Sequence, residues 1–225
     1  MAFDQQWETI FSSRDWGRYP SEEVVRFTAR NFRDRQARKD IRILDLGCGA
    51  GATCWYLSRE GFDVYGVDGS PSAIRKASAY LAEENLTASF SVGDIVGLEY
   101  APNFFDAVYE IGVAQHNRMA DIRKIYKEIE RVLKPGGLFF SIAINEATSG
   151  REHADELEKN TFLHLDSLNQ DVLVHLFSKA ELEELTAPFK NVVIESLVRT
   201  SERGAKTIGH YLISAQKKEY DEYDG

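Results

Sequence analysis

The stretch Ile43–Gly51 reads ILDLGCGAG: a short apolar run interrupted by Asp45, then three glycines at alternate positions, Gly47, Gly49 and Gly51. A turn this rich in glycine lets the backbone approach a nucleotide closely. A strand that feeds such a turn and then a helix is how an open α/β sheet admits a ligand at the carboxyl ends of its strands. Two ligands compete for the turn: a dinucleotide held by its pyrophosphate, or an adenosyl group that carries no phosphate.

Around this turn, short runs rich in β-branched and aromatic residues predict five strands, at 41–46, 62–67, 88–92, 105–111 and 138–144. Helical stretches lie between them at 52–60, 72–84 and 120–133, the second opened by Ser70 as N-cap and Pro71 in the first turn. Strands alternating with helices of this length form a mainly parallel, doubly wound, Rossmann-like sheet with helices on both faces. Residues 178–189 (SKAELEELTAPF) read as a capped helix, and 191–197 with 208–215 as an antiparallel hairpin around a polar turn at 201–206. Seven strands in one domain are therefore expected. Upstream, FDQQWETIFSS and SEEVVRFTARNFRDRQ predict two helices separated by RDWGRYP, and residues 1–40 are assigned as a helical lid over a core at 41–145. Residues 217–225 read as a charged, frayed tail.

Bulk properties narrow the function. The 225 residues suit a single domain, and a net charge of −9 opposes binding of long nucleic acid, whose affinity rests on Lys and Arg clusters. The opening MAFDQQWETI has neither the basic nor the apolar region of a leader, and the longest apolar stretch, 138–144, is too short to cross a bilayer. Two cysteines, Cys48 and Cys54, flank the turn and are read as small buried residues of a protein in a reducing cytoplasm. The five histidines make no metal-ligand spacing, so no metal is expected.

Spacing alone leaves both ligands open, because Gly47-x-Gly49-x-x-Ala52, with Asp68 about twenty residues on, also satisfies the dinucleotide pattern. Asp45, two positions before the first glycine, would repel a pyrophosphate and complement a cation. Asp94 in SVGDIV can accept from an adenine amino group while Ile95 packs on the base. Lys134-Pro135-Gly136-Gly137 forms a tight turn into the fifth strand. Taken singly, Asp68 also reads as an acid at a helix N-terminus and Asp94 as a turn residue.

As an ordered set, ILDLGCGAG, VYGVDGS, SVGDI, FDAVYEIGVAQH and LKPGG resemble the class I S-adenosylmethionine-dependent methyltransferases over about residues 41–145. The resemblance implies S-adenosylmethionine as cofactor and S-adenosylhomocysteine as product. It implies that Asp45, Gly47, Gly49 and Gly51 line the methionine part and ribose, that Asp68 takes both ribose hydroxyls, and that Asp94 and Ile95 hold adenine. Gly69, Ser70 and Glu110 join this set, with Trp16 and Arg18 of the lid at the cofactor or substrate. His116, just after the fourth strand, is the candidate catalytic base. Residues 146–177 fall where the family places acceptor-binding insertions. The motif N-P-P-Y of amino-methylating nucleic-acid enzymes is missing after the fourth strand, which with the acidic charge points to a small-molecule acceptor, with a protein acceptor left open. An NAD-dependent oxidoreductase and a non-catalytic nucleoside- or partner-binding protein remain as alternatives.

Overall fold

The computed structural model describes residues 3–34, 36–168 and 172–219. Its elements run in the order α1 (Gln5–Ser13), α2 (Glu22–Asn31), β1 (Arg42–Leu46), α3 (Ala52–Arg59), β2 (Asp63–Asp68), α4 (Pro71–Ala82), β3 (Ser89–Val92) and β4 (Phe105–Ile111). There follow α5 (Met119–Val132), β5 (Leu133–Ile144), β6 (Asp155–Glu158), β7 (Thr161–Leu163), β8 (Val174–His175), α6 (Lys179–Thr186), β9 (Phe189–Ser201) and β10 (Lys206–Lys217).

Seven strands form one sheet in the order β3-β2-β1-β4-β5-β10-β9. The first five pair in parallel, and β10 runs antiparallel to both β5 and β9. Successive strand residues point to opposite faces, and here both faces are apolar. Ile43 joins a core with Phe27 of α2, Trp55 of α3 and Leu81 of α4, whereas Leu44 joins a core with Ile122, Ile125 and Ile129 of α5 and Leu182 of α6. The spacing of the α5 residues, three and four apart, puts them on one stripe of the helix. Strand order reverses at β1, which pairs with β2 on one side and β4 on the other, and so opens a crevice at their carboxyl ends.

The structure differs from the sequence expectation at several edges. The second lid helix stops at Asn31, not at 36, and the helix expected over 178–189 ends at Thr186, leaving Phe189 to begin β9. Strand β5 starts at Leu133, which pairs with Phe105, so the LKPGG turn is carried within the ladder. Residues 146–177 contain a separate three-stranded sheet, β6-β7-β8, that periodicity did not show. Lys217, expected to open the tail, ends β10 with its ammonium donating to Asn103 Oδ1 and the Leu133 carbonyl, both at 2.9 Å. The tail residues 220–225 lie outside the described residues. No helix among the described residues is long and apolar enough to cross a membrane.

Candidate active site

The crevice holds a cavity of about 280 Å³, walled by the turns after β1, β2, β3 and β4 and roofed by α1 and the segment after it. The glycine turn is pinned from below: the amides of Gly47 and Cys48 both donate to the Val67 carbonyl, at 2.8 and 3.0 Å. Gly47 has φ of +68°, and a Cβ there would lie 2.4 Å from Val113 of the loop after β4. Gly47→Ala is expected to cost about 2 kcal/mol, from the left-handed backbone plus the clash, measurable as a lowered urea midpoint with unchanged slope.

Asp68 closes the end of β2. Its Oδ2 accepts from the Gly49 amide at 2.9 Å and its Oδ1 from the Ser70 amide at 2.8 Å, so two backbone donors fix the plane of the carboxylate at the cavity wall. Burial raises its pKa against these hydrogen bonds. Asp94 and Ile95 line the wall beyond β3, with Asp94 Oδ1 accepting from the Val96 amide at 3.2 Å. Asp45, at the end of β1 and only 3% exposed, also reaches the cavity. The Cys54 thiol donates to its Oδ2 at 3.2 Å. Burial, assisted by the like charges of Asp68 and Glu110, pushes the Asp45 carboxyl up to about 7. Burial also pushes the Cys54 thiol well up, so it acts as a neutral donor.

The lining chemistry separates the two candidate ligands. Four aspartates, Asp4, Asp45, Asp68 and Asp94, border the cavity, and among the described residues no lysine or arginine does. A pyrophosphate placed here would meet carboxylates without a counter-charge. A sulfonium and an α-ammonium meet the charge they need.

Comparisons with known proteins agree. Residues 43–137 match the family model described as a methyltransferase domain. A SAM-dependent methyltransferase of Methanosarcina mazei superposes with a TM-score of 0.66 at 25% identity, covering 79% of this chain and 92% of the other. A sterol 24-C-methyltransferase of Aspergillus fumigatus is 36% identical over 105 residues, 45% of this chain and 27% of its own length. A ubiquinone biosynthesis O-methyltransferase of Mesorhizobium japonicum is 30% identical over 127 residues, 56% of this chain and 50% of its own. Residues 43–137 therefore form a methyltransferase domain, similar to those of the class I S-adenosylmethionine-dependent methyltransferases. The matched stretch spans half or less of the length of these two curated relatives.

Several residues expected at the cofactor do other work. Arg18 does not border the cavity: its guanidinium sits over the Tyr80 ring, 4.1 Å from the centroid, and pairs with Glu83. Gly51, with φ of +86°, caps the start of α3 and packs against Ala77 of α4, where a Cβ would approach Ala77 Cβ to 2.8 Å. The Ser70 hydroxyl is turned into the N-cap of α4, accepting from the Ala73 amide at 3.0 Å. Glu110 is buried behind the wall. It accepts from the amides of Val113 at 2.7 Å and Ala114 at 2.8 Å and from the Ser141 hydroxyl, and so shapes the loop that carries His116.

Trp16 does line the cavity, as does Tyr19 of the same lid segment, whose rings the sequence placed at the cofactor or substrate, and they bring with them rings that the sequence reading passed over: Phe3, Trp7 and Phe11. Phe11 and Trp16 lie 5.0 Å apart between centroids, and Trp7 meets Trp16 edge-on at 6.2 Å. The signal was present, since Phe3, Trp7 and Phe11 recur every four residues, the spacing of one helix face, with Trp7 and Phe11 on α1 and Phe3 just before its N-cap Asp4. Glu8 ties this roof to α4, accepting from the Ser72 amide at 3.1 Å and from the hydroxyls of Ser70 and Ser72.

His116 borders the cavity beneath Trp7, with the two rings 4.7 Å apart. Its Nδ1 donates to the Leu173 carbonyl at 2.8 Å, which leaves Nε2 as the acceptor nitrogen. Gln115 accepts from the Ile144 amide at 2.8 Å through Oε1 and so turns its Nε2 toward that ring nitrogen, at 3.4 Å. Burial pushes the His116 pKa down to about 4, and the imidazole is neutral at ordinary pH. Of the histidines in 146–177, His175 is fully buried against Thr161, with Nδ1 2.8 Å from Oγ1, and His164 pairs with Asp155 at 3.0 Å. Neither borders the cavity.

Proposed function

We propose that the chain transfers the methyl group of S-adenosylmethionine to a small-molecule acceptor by in-line displacement. The observation that carries this reading is the convergence of Asp45, Asp68 and Asp94 on a glycine-lined cavity that no lysine or arginine among the described residues borders. In this reading Asp68 accepts from both ribose hydroxyls with the lone pairs that Gly49 and Ser70 leave open. Asp94 accepts from the adenine amino group with Ile95 against the ring, and Asp45 with Gly47 and Gly49 faces the cationic methionine end. The bound cofactor supplies an electrophilic methyl on a sulfonium. The rings of Trp7, Phe11 and Trp16 exclude water above it and present π-faces to positive charge. Placement supplies much of the rate, since effective molarities of oriented reactants reach about 10⁵ M or more.

His116 enters as an orienting group. A nitrogen whose conjugate acid has a pKa of about 4 is a weak base, but its Nε2 lone pair can receive a hydrogen bond from an acceptor hydroxyl or amine and align it. The aromatic roof suits an acceptor with a flat or apolar body, in keeping with the ubiquinone-pathway and sterol methyltransferases among its relatives. The small sheet β6-β7-β8 touches the site only through the Leu173 carbonyl just before β8, which holds the His116 ring, and among the described residues none of 146–177 borders the cavity.

The test is incubation with methyl-labelled S-adenosylmethionine and a panel of phenols, quinol precursors, amines and sterols. Label in a small organic product together with accumulating S-adenosylhomocysteine is the expected result. Cofactor binding with no turnover on any acceptor would leave a nucleoside-binding protein and overturn the proposal.

A further inference from the structure

Strand β9 forms one edge of the seven-stranded sheet, so one side of its backbone faces no neighbouring strand among the described residues. Edge strands in natural proteins are blunted by proline, lysine, bulges or short length, because an open edge templates pairing with another chain. The strand's one register shift falls at its start, between Lys190 and Val193, and the run 192–201, VVIESLVRTS, contains no proline, lysine or glycine. It exposes apolar side chains on both faces. Val192 and Val198 share a face with Ile194, which packs on the α5–α6 core, while Val193, 49% exposed, and Leu197, 42% exposed, point to the other.

We propose that β9 pairs antiparallel with β9 of a second copy about a two-fold axis through Leu197, joining two sheets into one. The argument for a second copy, and for this register, is charge. Glu195 and Arg199 stand on the face of Leu197, two residues to either side, and both are exposed. Among the described residues neither makes an ion pair. A two-fold axis normal to the sheet keeps each face matched to itself, so only a few registers are available. Centring on Leu197 places each Glu195 opposite Arg199 of the second copy, Leu197 opposite its own counterpart, and Val198 opposite Ser196. Centring on Glu195 or on Arg199 sets like charges face to face. Centring on Ser196 or Val198 sets a charge against Leu197. One register alone satisfies both charges, and it does so twice by symmetry.

The test is sedimentation of the full chain across a concentration series. The wild type is expected to dimerise. Glu195→Arg and Arg199→Glu, each of which creates two like-charge pairs, should raise the dimer dissociation constant about tenfold or more. The double reversal, Glu195→Arg with Arg199→Glu, restores the pairs with opposite sign and should restore the dimer. A variant that merely misfolds would not be rescued by a second surface substitution. A wild type that stays monomeric, a dimer indifferent to either single reversal, a double variant that stays apart, or a monomer that associates only with other proteins would each overturn the proposal.

Discussion

Asp68→Ala should weaken binding of S-adenosylhomocysteine by about a hundredfold or more. A hydrogen bond to a charged acceptor contributes about 1.5–3 kcal/mol, and the substitution removes two of them from the ribose. The effect on folding has the opposite leaning. The carboxylate is buried and its pKa raised, so removing it relieves desolvation while leaving the Gly49 and Ser70 amides without their acceptor. A melting curve of the free variant close to that of the wild type, beside the lost affinity, assigns the loss to the ligand contact. Asp68→Asn, which keeps one carbonyl oxygen, should fall between the two. Unchanged affinity in Asp68→Ala would remove Asp68 from the site.

The second large effect is with pH. Asp45 has its pKa pushed up to about 7 by burial, so in the free protein it is substantially protonated below neutrality. A cationic methionine end favours the carboxylate, and binding below pH 7 must then expel a proton. Affinity for S-adenosylmethionine is expected to fall by up to about tenfold for each pH unit below 7. His116, with a pKa of about 4, does not titrate in that window. Asp45→Asn should flatten the slope. Stability of the free protein moves the other way. A carboxyl whose folded pKa is raised contributes stability that is full below its unfolded pKa and lost as pH rises through 7. Asp45→Asn is therefore expected to melt above the wild type at pH 8, and the gap should close in acid. Calorimetry over pH 5–8 in two buffers of different ionisation enthalpy reads the released proton directly.

What the sequence made legible is the part whose physics is local. The glycine turn, the Ser70-Pro71 start of α4 and the alternation of five strands with three helices follow from backbone constraints and periodicity within short windows. The β9–β10 hairpin was legible for the same reason, from two β-rich runs around a polar turn. The small sheet was not, because β6 is four residues, three of them acidic, and β8 is two residues long, too short for any period to show. The direction of Arg18 was out of reach as well. It depends on Glu83 and Tyr80, more than sixty residues away, both of which compete with the cavity for the guanidinium. Glu110 illustrates a third kind of miss. A carboxylate at the end of a strand in this family's order reads as a ligand contact, yet its three donors all come from the protein itself. Asp45, Asp68 and Asp94 do reach the cavity wall, since strand ends at a switch point converge whatever the surrounding loops do.

The central claim is that an acidic, glycine-lined crevice receives a positively charged nucleoside and refuses a pyrophosphate. Isothermal titration of the full chain with S-adenosylmethionine, S-adenosylhomocysteine and NAD tests it most directly. The account predicts saturable one-site heats for the first two, stronger for the sulfonium at pH 8 than at pH 6, and none for NAD. Heat from NAD alone, with none from either sulfur nucleoside, would contradict it.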